Sequence, residues 1–213
     1  MQGKTTFFVI MGRSGAGKNY LLDKLETKFS REGIDTFTSI SITTRMPREG
    51  EKDGVDYWFL SKDDVREDEL FEYEKVAGNI YGTPIAPIDA EVTEEKIIFA
   101  VLEVKGYLQF KKNIARTYGE KAEVHHIIKD TPADVIKGWL KEEGHSDEAI
   151  EKRMSRDTVL EDLQKNDLYS SAFSIIKHDA VSPEDEIFTR FINHKLPVVE
   201  SSHSPVSCPS ITN

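Results

Sequence analysis

Residues 11–20 read MGRSGAGKNY and contain the pattern G-x-x-x-x-G-K from Gly12 to Lys18. The stretch before it, residues 5–11, is apolar and partly β-branched, which predicts a buried strand. The stretch after it, residues 20–29, carries three leucines and a phenylalanine at helical spacing, which predicts an amphipathic helix. A strand, a glycine-rich turn and a helix are the context in which this pattern binds phosphate.

The chemistry of this turn favours a nucleotide's phosphates over a chance arrangement of glycines and one lysine. Glycine allows the backbone to approach a ligand closely, and the amides and the helix dipole then attract an anion. Lys18 adds a mobile positive charge for the β- and γ-phosphates. We therefore predict a phosphate-binding loop made of Gly12, Arg13, Ser14, Gly15, Ala16, Gly17, Lys18 and Asn19.

Asn19 departs from the usual pattern, which has serine or threonine after the lysine to contact Mg²⁺. Its amide oxygen is still an oxygen ligand of the kind that Mg²⁺ prefers. We expect a weaker or rearranged metal contact at this position.

Composition narrows the class of protein. A chain of 213 residues suits one α/β domain with a small additional lobe. The net charge of -10, without a long basic run, argues against nucleic acid or an anionic membrane as the main partner. The single cysteine, Cys208, excludes a disulfide framework within the chain. With no signal peptide or bilayer-spanning run in the sequence, a reducing, cytoplasmic location is the expectation.

Strand and helix patterns alternate along the rest of the chain, which predicts a parallel sheet with helices on both faces. Predicted strands lie at 36–44, 57–60, 96–104, 123–129 and 173–177. One predicted helix begins at Ser61, and four others lie at 106–118, 131–143, 147–164 and 183–193. The His125–His126 pair falls on one strand, so its two rings should face opposite sides; with no acid or cysteine expected nearby, a metal site is not predicted. Residues 196–213 are expected to be a disordered tail.

Four further stretches, 41–48 (SITTRMPR), 54–59 (GVDYWF), 71–73 (FEY) and 78–83 (GNIYGT), resemble the acceptor lobe of guanylate kinases. With the phosphate-binding loop, the resemblance covers roughly residues 5–193 in order. It implies a P-loop three-layer α/β sandwich with a parallel core sheet, a small mixed-β lobe that binds GMP, and a helical lid. The implied division of residues 1–195 is a core (1–36, 93–130 and 165–195), a lobe (37–92) and a lid (131–164).

The resemblance also implies roles for single residues. Glu72 matches the family's guanine-binding glutamate, whose carboxylate accepts hydrogen bonds from N1–H and the 2-amino group and rejects adenine. The other implied GMP-binding residues are Ser41, Arg45, Arg48, Tyr57, Tyr81, Thr83 and Glu103, and the implied catalytic residues are Lys18, Arg45 and Arg153. ATP with Mg²⁺ would be the donor and GMP or dGMP the acceptor, in a monomer or homodimer. Taken singly, the arginines could be loop charges, Glu72 a solvated acid and the tyrosines half-buried sheet residues.

The chain departs from the family pattern where catalytic charge is expected. Val101 stands where the family has the first of two aspartates, and Glu103 replaces the second. Trp139 and Glu143 stand where the lid has arginines, for which Arg156, Lys141 or Lys137 are possible substitutes. Because a transition-state arginine can be worth ~10³-fold, these changes leave open a slow enzyme, an altered acceptor or a lapsed, non-catalytic binding module.

Overall fold

Two separate β-sheets organise the chain in the computed structural model, which describes residues 3–93, 95–155 and 157–195. The strands are β1 (Thr5–Gly12), β2 (Thr36–Thr38), β3 (Ile42–Thr43), β4 (Trp58–Phe59), β5 (Leu70–Val76), β6 (Asn79–Pro84), β7 (Ile97–Val101), β8 (Ala122–Asp130) and β9 (Ser174–Lys177). The α-helices are α1 (Lys18–Arg31), α2 (Ile85–Asp89), α3 (Val104–Tyr118), α4 (Ala133–Glu142), α5 (Asp147–Met154), α6 (Val159–Lys165) and α7 (Pro183–Lys195).

The larger sheet has five strands in the order β2-β7-β1-β8-β9, and each neighbouring pair is parallel. The first strand of the sequence is therefore the central one, and the turn that follows it opens at the carboxyl edge of the sheet. The predicted parallel sheet is confirmed.

Helices cover both faces of this sheet, because β1 alternates its side chains between two cores. Phe7 and Val9 pack with the buried residues of α3 and α6, whereas Phe8 and Ile10 pack with those of α1 and α7. Each buried aromatic or aliphatic side chain contributes about 1.5–3 kcal/mol. The result is the expected three-layer α/β arrangement.

The smaller sheet has the order β4-β3-β6-β5 and is mixed. Strands β3 and β4 are parallel, while β6 runs antiparallel to both β3 and β5. The β5–β6 hairpin turns at Ala77 and Gly78, which both have positive φ, 49° and 79°. Two such residues are what a tight hairpin of matching twist requires.

The single strand predicted at 36–44 is wrong, because it is two strands in different sheets. Thr36–Thr38 pairs with β7 in the core sheet, and Ser39 continues that pairing by donating to Phe99 O (2.8 Å). After Ser39 the chain leaves the core, and Ile42–Thr43 pairs with β4 and β6 instead. The core sheet thus includes residues 36–38.

Two predicted helices also differ. The helix expected after Ser61 is replaced by two 3₁₀ turns, Lys62–Asp64 and Glu67–Glu69, which lead into β5. The long helix expected at 147–164 is broken into α5 and α6, since Asp157 Oδ1 accepts a hydrogen bond from Val159 N (3.1 Å) at the start of α6. A side-chain acceptor there satisfies a free helix N–H and favours a new start.

Residues 196–213, with Cys208 and the predicted tail, lie outside the described residues. Among the described helices, none combines the length and the apolar character needed to cross a membrane.

Candidate functional site

The turn between β1 and α1 has the backbone of an anion-binding loop. Gly15 and Gly17 both have φ of 84°, a conformation that L side chains rarely adopt. At Gly12 a Cβ would lie 2.4 Å from the carbonyl oxygen of Lys129 on the neighbouring strand, so only glycine fits that close approach. Lys18 Nζ folds back over the loop and donates to Gly12 O (2.7 Å) and Arg13 O (2.9 Å).

Two carboxylates surround the Lys18 ammonium. Burial lowers the pKa of Lys18, and the negative charges of Glu103 and Asp157 oppose that effect. Partial desolvation by nearby protein raises the pKa of Glu103 although the residue is exposed at the surface, and the attraction of Lys18 opposes that shift. Asp157 is 4% exposed, and its Oδ2 lies 3.8 Å from Arg13 Nε without a hydrogen bond to any described residue. Carboxylate oxygens as well as positive charges therefore lie near the loop.

Arg153 of α5 reaches the phosphate-binding loop. Its Nε donates to Ser14 Oγ (3.1 Å), and its guanidinium lies 3.8 Å from where a Cβ on Gly15 would stand. This places the predicted catalytic arginine directly beside the predicted phosphate-binding loop.

The suggested substitutes for the missing lid arginines are engaged elsewhere. Lys137 Nζ donates to Glu151 Oε1 (2.6 Å), and Lys141 Nζ lies 2.9 Å from Asp147 Oδ1. Arg156 lies outside the described residues. Trp139 is 37% exposed on α4, and Glu143 follows that helix. An indole is neutral and a glutamate is acidic, so neither residue supplies positive charge.

A second cationic cluster lies at the ends of the small sheet, around Arg45. Glu51 accepts from both terminal nitrogens of Arg45, with distances of 2.6 Å to Nη1 and 2.7 Å to Nη2. Glu51 also accepts from the backbone N–H of Arg48 (2.8 Å), so the carboxylate closes the loop between the two arginines. This bonding lowers the pKa of Glu51 to about 2, with Arg45 as the main cause.

Aromatic rings enclose Arg45. Its guanidinium carbon lies 5.1 Å from the ring centre of Tyr57 and 5.6 Å from that of Phe59. Tyr81 completes the group, with its ring 6.0 Å from that of Tyr57. Arg45 Nε is buried without a hydrogen-bond partner among the described residues, whereas the side chain of Arg48 is exposed.

A buried carboxyl group stands between the small sheet and the core. Glu72 on β5 is 6% exposed, and its Oε1 accepts from Thr83 Oγ1 on β6 (2.7 Å). Burial raises the pKa of Glu72 to about 7, and the Thr83 bond only partly opposes this. Ser41 lies half-buried just before β3.

The first turn of α3 connects this carboxyl group to the phosphate-binding loop. A Cβ on Gly106 would lie 2.8 Å from Glu72 Oε2, so the glycine makes room for the carboxylate. Three residues earlier, Glu103 precedes α3 and acts electrostatically on Lys18. Asn113 further along α3 donates to Phe71 O (2.6 Å) and fastens β5 to the helix. Glu72 and Lys18 thus both lie near residues at the start of α3.

Sequence reasoning missed three residues of this site. The sequence patterns give no role to Glu51, and they place Phe59 only in the short strand at 57–60. Asp157 was placed inside a continuous helix. The six-residue spacing between Arg45 and Glu51 in a Pro- and Gly-rich loop was the available signal for one of them.

Comparisons with known proteins agree with one another. The family model described as Guanylate kinase matches residues 4–183. A guanylate kinase of Bacillus cereus is 43% identical over 108 residues, covering 49% of this chain and 51% of the relative, so the match spans about half of that protein. A guanylate kinase of Thermus thermophilus is 33% identical over 160 residues, covering 73% of this chain and 67% of the relative. The crystal structure of guanylate kinase from Anaplasma phagocytophilum matches with a TM-score of 0.57 at 20% identity, covering 92% and 88% of the two chains, and supports the fold.

Proposed function

The chain belongs to the guanylate kinase family, and on that premise we propose that it transfers the γ-phosphoryl group of ATP to GMP or dGMP. The products are ADP and GDP or dGDP. We place the reaction between the phosphate-binding loop and the small sheet, in a cytoplasmic monomer or homodimer.

The observation that carries the choice of guanine is the buried Glu72 carboxyl group. Thr83 donates to Oε1, and Oε2 lies against Gly106, whose lack of a Cβ leaves room for it. A carboxylate there accepts from the two adjacent donors of guanine, whereas adenine offers an acceptor at N1 and would leave the buried charge unpaired. Such a site can discriminate by ~10⁴ or more.

On the donor side, Lys18 and the loop amides bind the ATP phosphates, and Arg153 neutralises charge on the group in transfer. An oxygen of the acceptor's own phosphate attacks the γ-phosphorus, and the bond from that phosphorus to the bridging oxygen breaks, with the electron pair leaving on ADP. No protein base is required, because the attacking oxygen is already ionised.

A divalent metal fits the residues beside the loop. Asp157 has a buried carboxylate oxygen without a hydrogen-bond partner among the described residues, and Glu103 lies near the same lysine. With the amide oxygen of Asn19, these are the oxygen donors that Mg²⁺ prefers. Asn19, Glu103 and Asp157 are the residues we assign to hold it, directly or through water. When bound with ATP, the metal supplies positive charge to the β- and γ-phosphates.

On the acceptor side, Arg45 and Arg48 with Tyr57 and Tyr81 bind the monophosphate. The unpartnered Nε of Arg45 is a donor that a phosphate oxygen would satisfy. Glu51 holds the guanidinium in place while that ligand binds.

A second candidate is a guanylate kinase-like module that binds a phosphorylated ligand without turnover. It is favoured by Trp139 and Glu143 at the lid positions and by the ion pairs that occupy Lys137 and Lys141. The intact phosphate-binding loop, with Arg153 against it, argues for the enzyme.

The deciding experiment is an ADP-release assay with ATP against a panel of monophosphates (GMP, dGMP, AMP, CMP and UMP), with and without Mg²⁺. Turnover with GMP or dGMP alone supports the kinase. Calorimetric binding of GMP with no ADP release supports the module, and turnover with another acceptor would replace guanine as the substrate. Lys18→Ala is the control that separates this activity from a contaminating kinase.

A further inference from the structure

Three side chains that commonly bind metals meet on the core face that α7 covers. Glu123 and His125 lie two residues apart on β8 and so share a face, and His194 comes from the last turn of α7. One ligand atom from each lies within 4.8 Å of the other two. The sequence-based expectation that no acid accompanies the His125–His126 pair is therefore wrong for His125.

This cluster is separate from the proposed kinase site. Glu123 pairs with Thr6 and His125 with Phe8, at the amino-terminal half of the central strand, whereas the phosphate-binding loop follows its carboxyl end. His126, on the other face, bonds instead to Tyr107 and Leu168.

The ring of His125 is fixed by packing. Its centroid lies 4.9 Å from that of Phe173, 5.7 Å from that of Phe8 and 5.1 Å from that of His194, which stands nearly perpendicular to it at 87°. Its Nε2 is buried and has no hydrogen-bond partner among the described residues. A buried nitrogen in a native protein normally has a partner, so this atom calls for a ligand.

The Glu123 carboxylate faces that nitrogen. His125 Nε2 lies 3.7 Å from Glu123 Oε1, and His194 Nε2 lies 3.9 Å from Oε2. These separations are too long for hydrogen bonds, but they bring all three side chains close to one point.

We propose that Glu123, His125 and His194 bind a zinc ion that fastens α7 to β8. Two imidazoles and a carboxylate are a known zinc ligand set, with water in the fourth position. Ligand atoms about 2.0–2.2 Å from the metal stand about 3.3–3.6 Å apart in a tetrahedron. The two histidine–glutamate pairs therefore need to close by a few tenths of an ångström, and the whole set, which spans up to 4.8 Å, by as much as about 1.5 Å. Imidazole nitrogen favours zinc over Mg²⁺ or Ca²⁺.

One ion pair has to open for the metal to enter. Lys195 Nζ lies 2.6 Å from Glu123 Oε1, in the space beside the ligands. The Lys195 side chain is 35% exposed, and Lys195 is the last residue of α7, so its ammonium can move into solvent. Thr6 Oγ1 donates to the same oxygen (2.8 Å) and can keep the carboxylate oriented with the metal bound.

The test measures stability, so its result does not depend on catalysis. The full chain without an affinity tag is stripped with a chelator, and thermal unfolding is followed with and without Zn²⁺ and Mg²⁺. A ligand that binds only the folded chain raises Tm, here by roughly 5 °C or more at a hundredfold excess over Kd. Calorimetry with Zn²⁺ should give one site per chain, and Co²⁺ should give the visible spectrum of a tetrahedral ion.

Variants locate the ion. His194→Ala and Glu123→Gln should each abolish the zinc-dependent rise in Tm; His194 is half exposed, so its loss leaves the core intact. His145→Ala and Cys208→Ser are the matched controls and should keep the rise. The proposal is overturned if Zn²⁺ fails to stabilise the wild-type chain, if His194→Ala keeps the effect, or if a control variant loses it.

Discussion

Glu51 accepts two hydrogen bonds from the guanidinium of Arg45, 2.6 Å from Nη1 and 2.7 Å from Nη2. The pair is mostly enclosed, with the side chains of Arg45 and Glu51 11% and 18% exposed. Because Glu51 also accepts from Arg48 N, one carboxylate fixes both the arginine and the turn that carries its neighbour. We interpret Glu51 as the residue that positions the acceptor's phosphate-binding arginines.

Replacing Glu51 with alanine is expected to weaken binding of the acceptor selectively. Arg45 would lose its orientation, and a hydrogen bond to a charged group contributes about 1.5–3 kcal/mol, so the KM for GMP should rise ~10-fold or more. The KM for ATP should not change. Glu49→Ala, in the same exposed loop, is the matched control, and tighter GMP binding by Glu51→Ala would identify Glu51 as a competitor of the phosphate instead.

Binding of GMP should strengthen as pH rises through neutrality. Burial raises the pKa of Glu72 to about 7, and guanine requires the ionised carboxylate, so a proton must leave on binding. The ionised fraction falls about tenfold from pH 8 to pH 6, and affinity should fall with it. Calorimetry with Glu72→Gln at the same pH values corrects for titration of the GMP phosphate, whose second pKa is about 6. An equal pH dependence in both proteins would remove Glu72 from guanine binding.

Gly106→Ala is expected to separate recognition from stability. The new Cβ would lie 2.8 Å from Glu72 Oε2 and displace the carboxylate, so GMP should bind more weakly. In a helix, alanine is favoured over glycine by about 1 kcal/mol, so Tm should hold or rise. Both GMP affinity and Tm are measured on one preparation of Gly106→Ala. Unchanged GMP affinity would show that the Glu72 carboxylate can shift away from the new Cβ without losing guanine.

Arg153→Ala should reduce kcat by ~10³-fold or more, because a transition-state arginine has that weight and the other lid positions hold Trp139 and Glu143. The KM values should change much less. Lys152→Ala on the exposed side of α5 is the control. If Arg153→Ala retained near-normal kcat, catalytic charge would have to come from another residue.

His126 makes the fold sensitive to acid. It is buried, accepts from Tyr107 OH at Nδ1 (2.9 Å) and donates from Nε2 to Leu168 O (2.8 Å), roles assigned from its partners. Burial lowers its pKa, so the unfolded chain binds this proton at a higher pH than the folded chain does. Its stabilising effect is therefore complete above the unfolded pKa of about 6.5 and is lost as pH falls below it.

Urea unfolding from pH 5 to pH 8 measures this effect. His126→Gln should be less stable at pH 8 but should lose less stability on acidification than the wild type. A parallel loss in both proteins would show that other groups account for the acid response.

Local patterns were sufficient for much of the fold. The glycine turn at 12–17, the apolar run of β7 and the alternation of strands and helices predicted the parallel sheet, because propensity and periodicity are properties of neighbouring residues. They could not assign Thr36–Thr38 and Ile42–Thr43 to different sheets, since each stretch looks equally suited to either. The helix break at Asp157 depends on one side chain that turns back to Val159 N.

The sequence singled out Lys18, Arg45 and Glu72 because the type and position of each residue suggest its chemistry, and their roles stay predictions. Its partners were less accessible. The bond between Glu51 and Arg45 depends on how a loop closes, and the meeting of His125 with His194 depends on how α7 packs across the sheet. Contacts of this kind are set by tertiary structure, which a single sequence does not display.

The hydrogen bonds from the Lys18 ammonium to the carbonyls of Gly12 and Arg13 affect which anions can bind the loop. Two neutral oxygens hold the cation at rest, so a small monovalent anion gains little by displacing them. A polyphosphate can accept hydrogen bonds from several loop amides at once, and these compensate for the bonds that Lys18 gives up. We therefore expect the resting loop to bind a nucleotide's polyphosphate in preference to chloride and other simple anions, although those are far more abundant in a cell.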